Sequence, residues 1–362
     1  MQNLTRIVSG LLLLSAALVS AAETTLGNGK GPQIAVDPHG NVFVVYGDTQ
    51  NIHCRASLDG GKTFAEAVKV GALPSIPMMR RGPRIAADGN SVIITAISGA
   101  PKTGQDGNVT AFRSEDKGKT WTRIEKNLNT VDRSAREGFQ ALAAGPAGHF
   151  FCTWNDLRNN KMQVWGAAST NGGKTWSEDV LIYKPPEGGI CPCCPTSVTC
   201  DAKGGIHVMF RNDIGGAKDM YSCSSTDGGK TFSAATKLGN GTWPLQVCPM
   251  DGGAIAATGT KVFTLWRRQK TIFAASPGEA ERELGPGEQG WITVGTTGSY
   301  AVWITKRQGE LMLLLPGGQP MKFATNASDP CIANALDGNG PVVLAWESGG
   351  KVLVSVIAER KK

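Results

Sequence analysis

Four octapeptides decide the fold of this chain: SLDGGKTF at residues 57–64, SEDKGKTW at 114–121, STNGGKTW at 169–176 and STDGGKTF at 225–232. They recur about every 56 residues, and a motif repeated at a constant period is typical of propellers and other repeat architectures. Asp-Gly and Asn-Gly pairs favour hairpin turns that need a positive φ. We therefore expect structural roles, in four equivalent turns, for Asp59, Asp116, Asn171 and Asp227.

The segments around each octapeptide have the pattern of short β-strands. Two runs of alternating or β-branched apolar residues precede it, at 32–37 and 41–46 in the first unit and at 83–88 and 91–96 in the second. A third run leads into the octapeptide and a fourth strand follows it. Each unit is thus predicted to be an antiparallel sheet of four strands, A to D, with the octapeptide at the C–D turn. Such a sheet is one blade of a propeller.

Three more units follow without the octapeptide, beginning near residues 253, 291 and 331. The last lacks a fourth strand. The sequence LGNG at 26–29 repeats the LGNG at 238–241, which follows strand D of the fourth unit. An N-terminal strand in that place would remove the open sheet edge. The prediction is an all-β propeller of four-stranded antiparallel blades, closed by the N-terminal strand, with seven blades favoured and six possible.

The N-terminus has the features of an export signal. Arg6 precedes an apolar stretch at 7–19, and small residues occupy 20–22. The stretch is shorter than the ~20 residues of a membrane-spanning helix. We expect a signal peptide at 1–22, one propeller domain at 23–362, and an exported protein, periplasmic or extracellular, without a membrane span. The net charge of +7 comes without a basic run, which favours an anionic small ligand over nucleic acid.

Nine cysteines include the cluster CPCCP at 191–195. Cys194 and Cys248 each precede a proline at the start of a strand A, and Cys331 occupies a similar place in the last unit. The residues expected to share one face are Cys191, Cys193, Cys194, Cys248 and Cys331. Disulfides are one interpretation, typical of exported proteins, and a soft-metal site is another. Adjacent cysteines are hard to place on one tetrahedral ion, so we expect disulfides and neither a metal nor another cofactor.

The octapeptides, the four-stranded units and the signal-like N-terminus together resemble the sialidase superfamily of Asp-box (bacterial neuraminidase repeat) proteins, over nearly the whole mature chain. The resemblance implies an exo-α-sialidase-type glycoside hydrolase acting on terminal anionic sugars. Sialidases bind the substrate carboxylate with three arginines and use an Asp acid/base and a Tyr nucleophile assisted by a Glu. Asp boxes also occur in non-catalytic propellers, so a glycan- or protein-binding propeller is the alternative.

Individual residues carry this resemblance. The segment Pro83-Arg-Ile-Ala86 is similar to the family's Arg-Ile-Pro signature, and the loop at 105–114 is similar to the loop that holds the acid/base. The resemblance implies catalytic roles for Asp106, Glu137 and Tyr221, and substrate-binding roles for Arg84, Arg158, Arg211 and Arg267. In an antiparallel meander, strand A starts and strand B ends on the face opposite the C–D turns. That face should therefore be rich in arginine and cysteine and bind the ligand.

Overall fold

A computed structural model describes residues 22–48, 50–72, 79–98, 107–259 and 261–360. Within these ranges the regular structure consists of β-strands, and no helix there is long and apolar enough to cross a membrane. The signal peptide predicted at 1–22 lies outside the described residues except for Ala22, so it stays a prediction.

The strands follow one another as antiparallel hairpins. Their bounds are β1 Thr24–Asn28, β2 Lys30–Val36, β3 Val42–Gly47, β4 Asn51–Ser57, β5 Val68–Ala72, β6 Arg84–Ala87, β7 Val92–Ser98, β8 Asn108–Ser114, β9 Thr122–Arg123, β10 Ala135–Ala144, β11 Phe150–Asp156, β12 Gln163–Ser169, β13 Val180–Tyr183, β14 Gly189–Ile190, β15 Ser197–Cys200, β16 Ile206–Asp213, β17 Met220–Ser225, β18 Thr236–Lys237, β19 Ala254–Thr258, β20 Lys261–Arg268, β21 Thr271–Ala275, β22 Arg282–Pro286, β23 Glu288–Gly295, β24 Gly298–Ile304, β25 Gly309–Leu314, β26 Met321–Ala333, β27 Val342–Ser348 and β28 Lys351–Ala358.

These strands form sheets in chain order. Strands β2–β5, β6–β9, β10–β13 and β19–β22 make four sheets of four strands each. A fifth sheet contains β14–β18, with β14 and β15 both paired to β16. In the remaining sheet, β26 pairs with β25 through its first half and with β27 through its second half. The N-terminal strand β1 pairs with the C-terminal strand β28.

The first strand of each unit is the innermost one. Strand β2 packs against β6, β6 against β10, β10 against β15, β15 against β19, β19 against β23, and β26 against both β23 and β2. These strands surround a channel with a cavity of about 180 Å³, lined mostly by apolar side chains such as Ile34, Ile85, Val198 and Ile332. The chain is an all-β propeller of four-stranded antiparallel sheets, as the repeat predicted.

The octapeptides form turns held by their own side chains. In the first, Asp59 Oδ1 accepts hydrogen bonds from the Ser57 hydroxyl and from the backbone N–H groups of Lys62 and Thr63, and Asp59 Oδ2 accepts one from the Thr63 hydroxyl. Gly61 has a φ of 92°, and a Cβ there would lie 2.9 Å from Val356 Cγ2. The bonds from the serine hydroxyl and from the threonine backbone N–H recur at Asp116, Asn171 and Asp227. At Asn171 the side-chain amide donates to the Thr175 hydroxyl instead of accepting from it. These three acids and one amide thus have structural partners.

Acid is expected to weaken these turns. Desolvation raises the pKa values of Asp59 and Asp116, but hydrogen bonds outweigh it and lower both values to about 2. The main donors are Thr63 to Asp59 and Thr120 to Asp116. A lowered folded-state pKa gives stability that is present above the unfolded pKa, near 3.8, and lost as the pH falls towards 2. Denaturant unfolding of a D59N/D116N/D227N variant should show a smaller loss of stability over this range than the wild type. Equal losses would contradict this role.

Candidate functional site

Strands A begin and strands B end at one end of the channel, which we call the mouth. At four places the start of strand A contains a bulge whose extra residue has a positive φ: Gly31 at 57°, Gly138 at 70°, Gln289 at 56° and Asp329 at 46°. Glycine adopts this conformation without strain, whereas in other residues it raises the conformational free energy by about 1 kcal/mol or more. Gln289 and Asp329 therefore occupy positions where glycine would be easier, which points to a use for their side chains.

Arg80 crosses the mouth. Its Nη1 lies 3.3 Å from Asp251 Oδ1 and also donates to the carbonyl oxygen of Gly252, while Nη2 donates to that of Gly253. Its backbone N–H donates to Asp329 Oδ1 over 3.0 Å. The side chains of Arg80 and Asp251 are each 2% exposed, and the guanidinium stacks 4.6 Å above the ring of Trp291. Arg80 thereby connects three units of the propeller.

Further hydrogen bonds extend this contact into a network. The backbone N–H of Gln289 donates to Asp251 Oδ2, and that of Asp329 donates to Gln289 Oε1. Arg84 donates to the backbone carbonyl of Arg80 and to those of two intervening residues. We call Arg80, Arg84, Asp251, Gln289 and Asp329 the mouth network. Of these five residues, only Arg84 is among those predicted from the sequence.

The predicted substrate-binding arginines have partners within the protein. Arg84 is 4% exposed and its described acceptors are backbone carbonyls. Arg158 donates to both carboxylate oxygens of Asp156 over 2.8 Å, pairs with Asp179 and stacks on Trp165. These contacts hold Arg158 within the third unit and do not bring it to the mouth network.

Arg211 and Arg267 lie together. The guanidinium of Arg211, 1% exposed, donates to the carbonyl oxygens of Asp251, Lys218 and Arg267. Arg267 pairs with Glu288 at 3.1 Å. Arg211 is thus connected to the mouth network through the backbone of Asp251. Convergence of three arginines on one bound carboxylate stays a prediction.

The three catalytic residues implied by the resemblance are not brought together among the described residues. Asp106 lies outside them, and Glu137 lies on β10 with a side chain that is not described. Tyr221 pairs in register with Phe210, and the two rings stack 6.5 Å apart in the packing between the third and fourth units. That position favours a structural role for Tyr221, while the three catalytic assignments stay predictions.

Two other carboxyl groups, both with raised pKa values, lie at the mouth. Glu347, at the end of strand B in the last unit, pairs in register with Ser328, next to Asp329. Burial raises the pKa of Asp329, and burial followed by the charge of Asp329 raises the pKa of Glu347. Asp329 Oδ2 and Glu347 Oε2 are buried without a hydrogen-bond partner among the described residues. The pair is therefore a candidate for acid–base chemistry.

Cations surround this carboxyl pair. Arg307 Nη2 lies 3.8 Å from Asp329 Oδ2, and its side chain is 36% exposed. Lys30 is exposed where strand A of the first unit begins, and it acts on Glu347. Arg81, Arg136 and Arg267 are further cations at this end that are not fully buried. Such a concentration of positive charge favours an anionic ligand.

Four of the five grouped cysteines meet beside the mouth network. The Sγ atoms of Cys193 and Cys248 are in bonding contact, and Cys191 Sγ lies 2.9 Å from Cys194 Sγ. Cys331 is not with them, which corrects the predicted grouping. It is buried between the first and last units, because its position on strand A directs it into the apolar packing there.

Comparison with known proteins agrees with this architecture. The family model described as a BNR repeat-like domain matches residues 77–258. No protein of curated function matches the sequence.

Solved structures share the fold at low sequence identity. An α-L-arabinanase from Penicillium chrysogenum, complexed with arabinobiose, is 13% identical with a TM-score of 0.54, covering 94% of this chain and 99% of its own. The GH93 α-L-arabinofuranosidase of Fusarium graminearum is 13% identical with a TM-score of 0.55, covering 92% and 93%. The intramolecular trans-sialidase from Ruminococcus gnavus, in complex with oseltamivir carboxylate, is 12% identical with a TM-score of 0.51, covering 91% and 93%.

Proposed function

We propose that this chain, which belongs to the BNR repeat-like domain family, is an exported glycoside hydrolase that cleaves a terminal anionic sugar at the mouth. The observation that carries the proposal is the carboxyl pair Asp329 and Glu347, whose pKa values are raised, among partly exposed cations. Glycoside hydrolysis needs a carboxyl group that is still protonated near neutral pH. Burial beside a second carboxyl group shifts the pKa of Glu347 in that direction.

The two carboxyl groups differ in access, and this assigns their roles. Glu347 is half-buried, whereas the side chain of Asp329 is 3% exposed. Glu347 is therefore the group that reaches a substrate and donates a proton to the glycosidic oxygen. Asp329 is a positioning residue, held by the backbone N–H of Arg80, and it acts through its charge on Glu347. Lys30 and Arg307 bind the negative group of the sugar.

The proposal includes a complete ring of seven blades. The pairing of Thr24 with Val354 and of Asn28 with Lys351 supports closure of the last blade by β1. The division of β26 between two partners supports separate sixth and seventh blades. Export after removal of residues 1–22 and a disulfide between Cys193 and Cys248 belong to the same proposal.

A non-catalytic glycan-binding propeller is the second candidate. It is favoured by the contacts of Arg84 and Arg211, whose described acceptors are backbone carbonyls. The packing of Tyr221 against Phe210 favours it too, since a sialidase needs its nucleophile free in the pocket. In this case the mouth would bind an anionic glycan without cleaving it.

Hydrolysis of synthetic glycosides tests the first candidate. The purified mature protein should release the fluorophore from an α-sialoside faster than from an α-L-arabinofuranoside, because the cations at the mouth favour the anionic sugar. The arabinofuranoside is included because two structural neighbours are named for arabinose-containing substrates. A Glu115→Gln variant, altered in an exposed octapeptide residue, should match the wild type. A folded protein that cleaves neither glycoside contradicts the hydrolase.

Binding measurements then test the second candidate. Titration calorimetry with a sialylated trisaccharide should show binding that weakens as the salt concentration rises, because the attraction is electrostatic. Binding without turnover would establish the glycan-binding propeller. A protein that neither binds nor cleaves the sialylated sugar would contradict both candidates.

A further inference from the structure

Four sulphur atoms lie together beside the mouth network, as two pairs that differ in accessibility. The outer pair, Cys193 and Cys248, is partly exposed, and its Sγ atoms are in bonding contact. The inner pair, Cys191 and Cys194, is buried with its Sγ atoms 2.9 Å apart. Cys191 Sγ also lies 3.7 Å from Cys248 Sγ. Cys191 therefore contacts one sulphur of each pair at the same time.

The surroundings of Cys191 favour a negative charge on its sulphur. The guanidinium of Arg211 is buried, its described hydrogen bonds go to three backbone carbonyls, and no described carboxylate forms an ion pair with it. A buried cation without a counter-charge is costly. The charges of Arg211 and Lys218 both act on Cys191. A thiolate at Cys191 would supply the counter-charge that Arg211 lacks.

The two inner thiols are shifted in opposite directions. The hydrogen bond donated by the Cys194 thiol, followed by the backbone N–H of Cys193 and the two cations, lowers the pKa of Cys191 despite its burial. Burial, followed by the same hydrogen bond, raises the pKa of Cys194. Cys191 is thus the thiolate, and the Cys194 thiol donates a hydrogen bond to it. The thiolate is the attacking species in disulfide exchange.

We propose that these four cysteines form a dithiol–disulfide exchange site, in which a disulfide passes between the outer and inner pairs through Cys191. The Cys191 thiolate attacks Cys248 Sγ. A Cys191–Cys248 bond forms as the Cys193–Cys248 bond breaks, and the Cys193 thiolate that leaves takes up a proton.

The second step completes the transfer. Cys194 loses its proton and attacks Cys191 Sγ, so that the Cys191–Cys194 bond forms, the Cys191–Cys248 bond breaks and the Cys248 thiolate is protonated. Two electrons have moved from the inner to the outer pair. Of the two protons taken up by Cys193 and Cys248, one is released by Cys194 and the other comes from solvent, because Cys191 starts as a thiolate. No external oxidant or reductant is consumed. Because only the outer pair reaches the surface, a thiol-bearing molecule outside the protein would exchange there.

Within each pair, the two sulphurs lie too close together to be ligands of one metal ion. In a tetrahedral zinc site with bonds of about 2.3 Å, two sulphurs lie about 3.8 Å apart. The 2.9 Å between the inner sulphurs is well below that separation. Cys193 and Cys194 are also neighbours in sequence, which hinders both from binding one ion.

Disulfide mapping of the full-length chain tests the proposal. The oxidised protein is treated with limiting phosphine reductant, held to equilibrate, quenched with acid and alkylated, and its disulfides are identified by mass spectrometry. In wild-type molecules with one disulfide left among the four cysteines, both the outer and the inner bond should be found. In Cys194→Ser the second step is blocked, so Cys191–Cys248 should accumulate and Cys193 should become alkylated. Cys191→Ser should retain only the outer bond.

Controls separate exchange from a general effect of substitution. Cys331→Ser, altered outside the cluster, should give the wild-type pattern, and circular dichroism verifies that each variant is folded. The wild-type result needs no variant and stands if Cys191→Ser fails to fold. A single, unchanging Cys193–Cys248 bond in the wild type would overturn the proposal. So would a purified protein with a bound metal ion and all four thiols unbonded.

Discussion

Replacing Arg80 with methionine is expected to lower the free energy of unfolding by about 3–5 kcal/mol. The change removes one partner of a buried ion pair whose two side chains are each 2% exposed. It leaves a carboxylate oxygen of Asp251 and the carbonyl oxygens of Gly252 and Gly253 without their donors. Each orphaned group adds its own desolvation cost. Denaturant-induced unfolding, followed by tryptophan fluorescence, measures the loss.

Two further variants show whether the ion pair is the cause. An R80M/D251N double variant should recover part of the lost stability, because it no longer buries an unpaired charge. Lys62→Met removes an exposed ion pair with Glu359, in which the side chains are 61% and 73% exposed, and should change stability by less than about 1 kcal/mol. An R80M protein as stable as the wild type would show that the contacts of Arg80 do not stabilise the mouth.

The parts of the fold that sequence alone could predict rest on local interactions. In each octapeptide the side-chain bonds connect residues two to four positions apart, such as Ser57 with Asp59 and Asp59 with Thr63. The same residues therefore have to recur wherever the turn recurs, and the strands between them show their alternating pattern. The LGNG at 26–29 repeats the LGNG that follows an earlier strand D, and the closure that it predicts stays part of the proposal.

The mouth network could not be predicted in this way. Arg80 contacts Asp251 and Asp329 across 171 and 249 residues of sequence, and no repeat or spacing marks these three positions. Arg84 and Arg211 have the residue type that a carboxylate site needs, but a sequence does not show that backbone carbonyls surround a guanidinium. The one usable signal was the replacement of glycine by Gln289 and Asp329 at the bulges, and recognising it requires the register of strand A.

Glu347→Gln is expected to reduce kcat for the anionic glycoside by about 10²–10⁴-fold, the usual contribution of a general acid, while the protein stays folded. Glutamine preserves the shape of the side chain but has no proton to give to the leaving oxygen. The substitution also replaces a carboxyl group whose charged form is disfavoured by desolvation. The free energy of unfolding should therefore be unchanged or higher. A leaving group that needs no protonation should restore much of the lost rate, which a misfolded site could not do.

Asp329→Asn is compared with Glu347→Gln, because we expect it to change the pH dependence of kcat/KM. The charge of Asp329 raises the pKa of Glu347, so removing that charge should move the alkaline limb of kcat/KM to lower pH. The asparagine oxygen can still accept the backbone N–H of Arg80, as Asp329 Oδ1 does over 3.0 Å. A purely structural contribution of Asp329 would lower activity equally at all pH values. A pH profile that keeps its alkaline limb in place would therefore remove Asp329 from the mechanism and leave Glu347 to act alone.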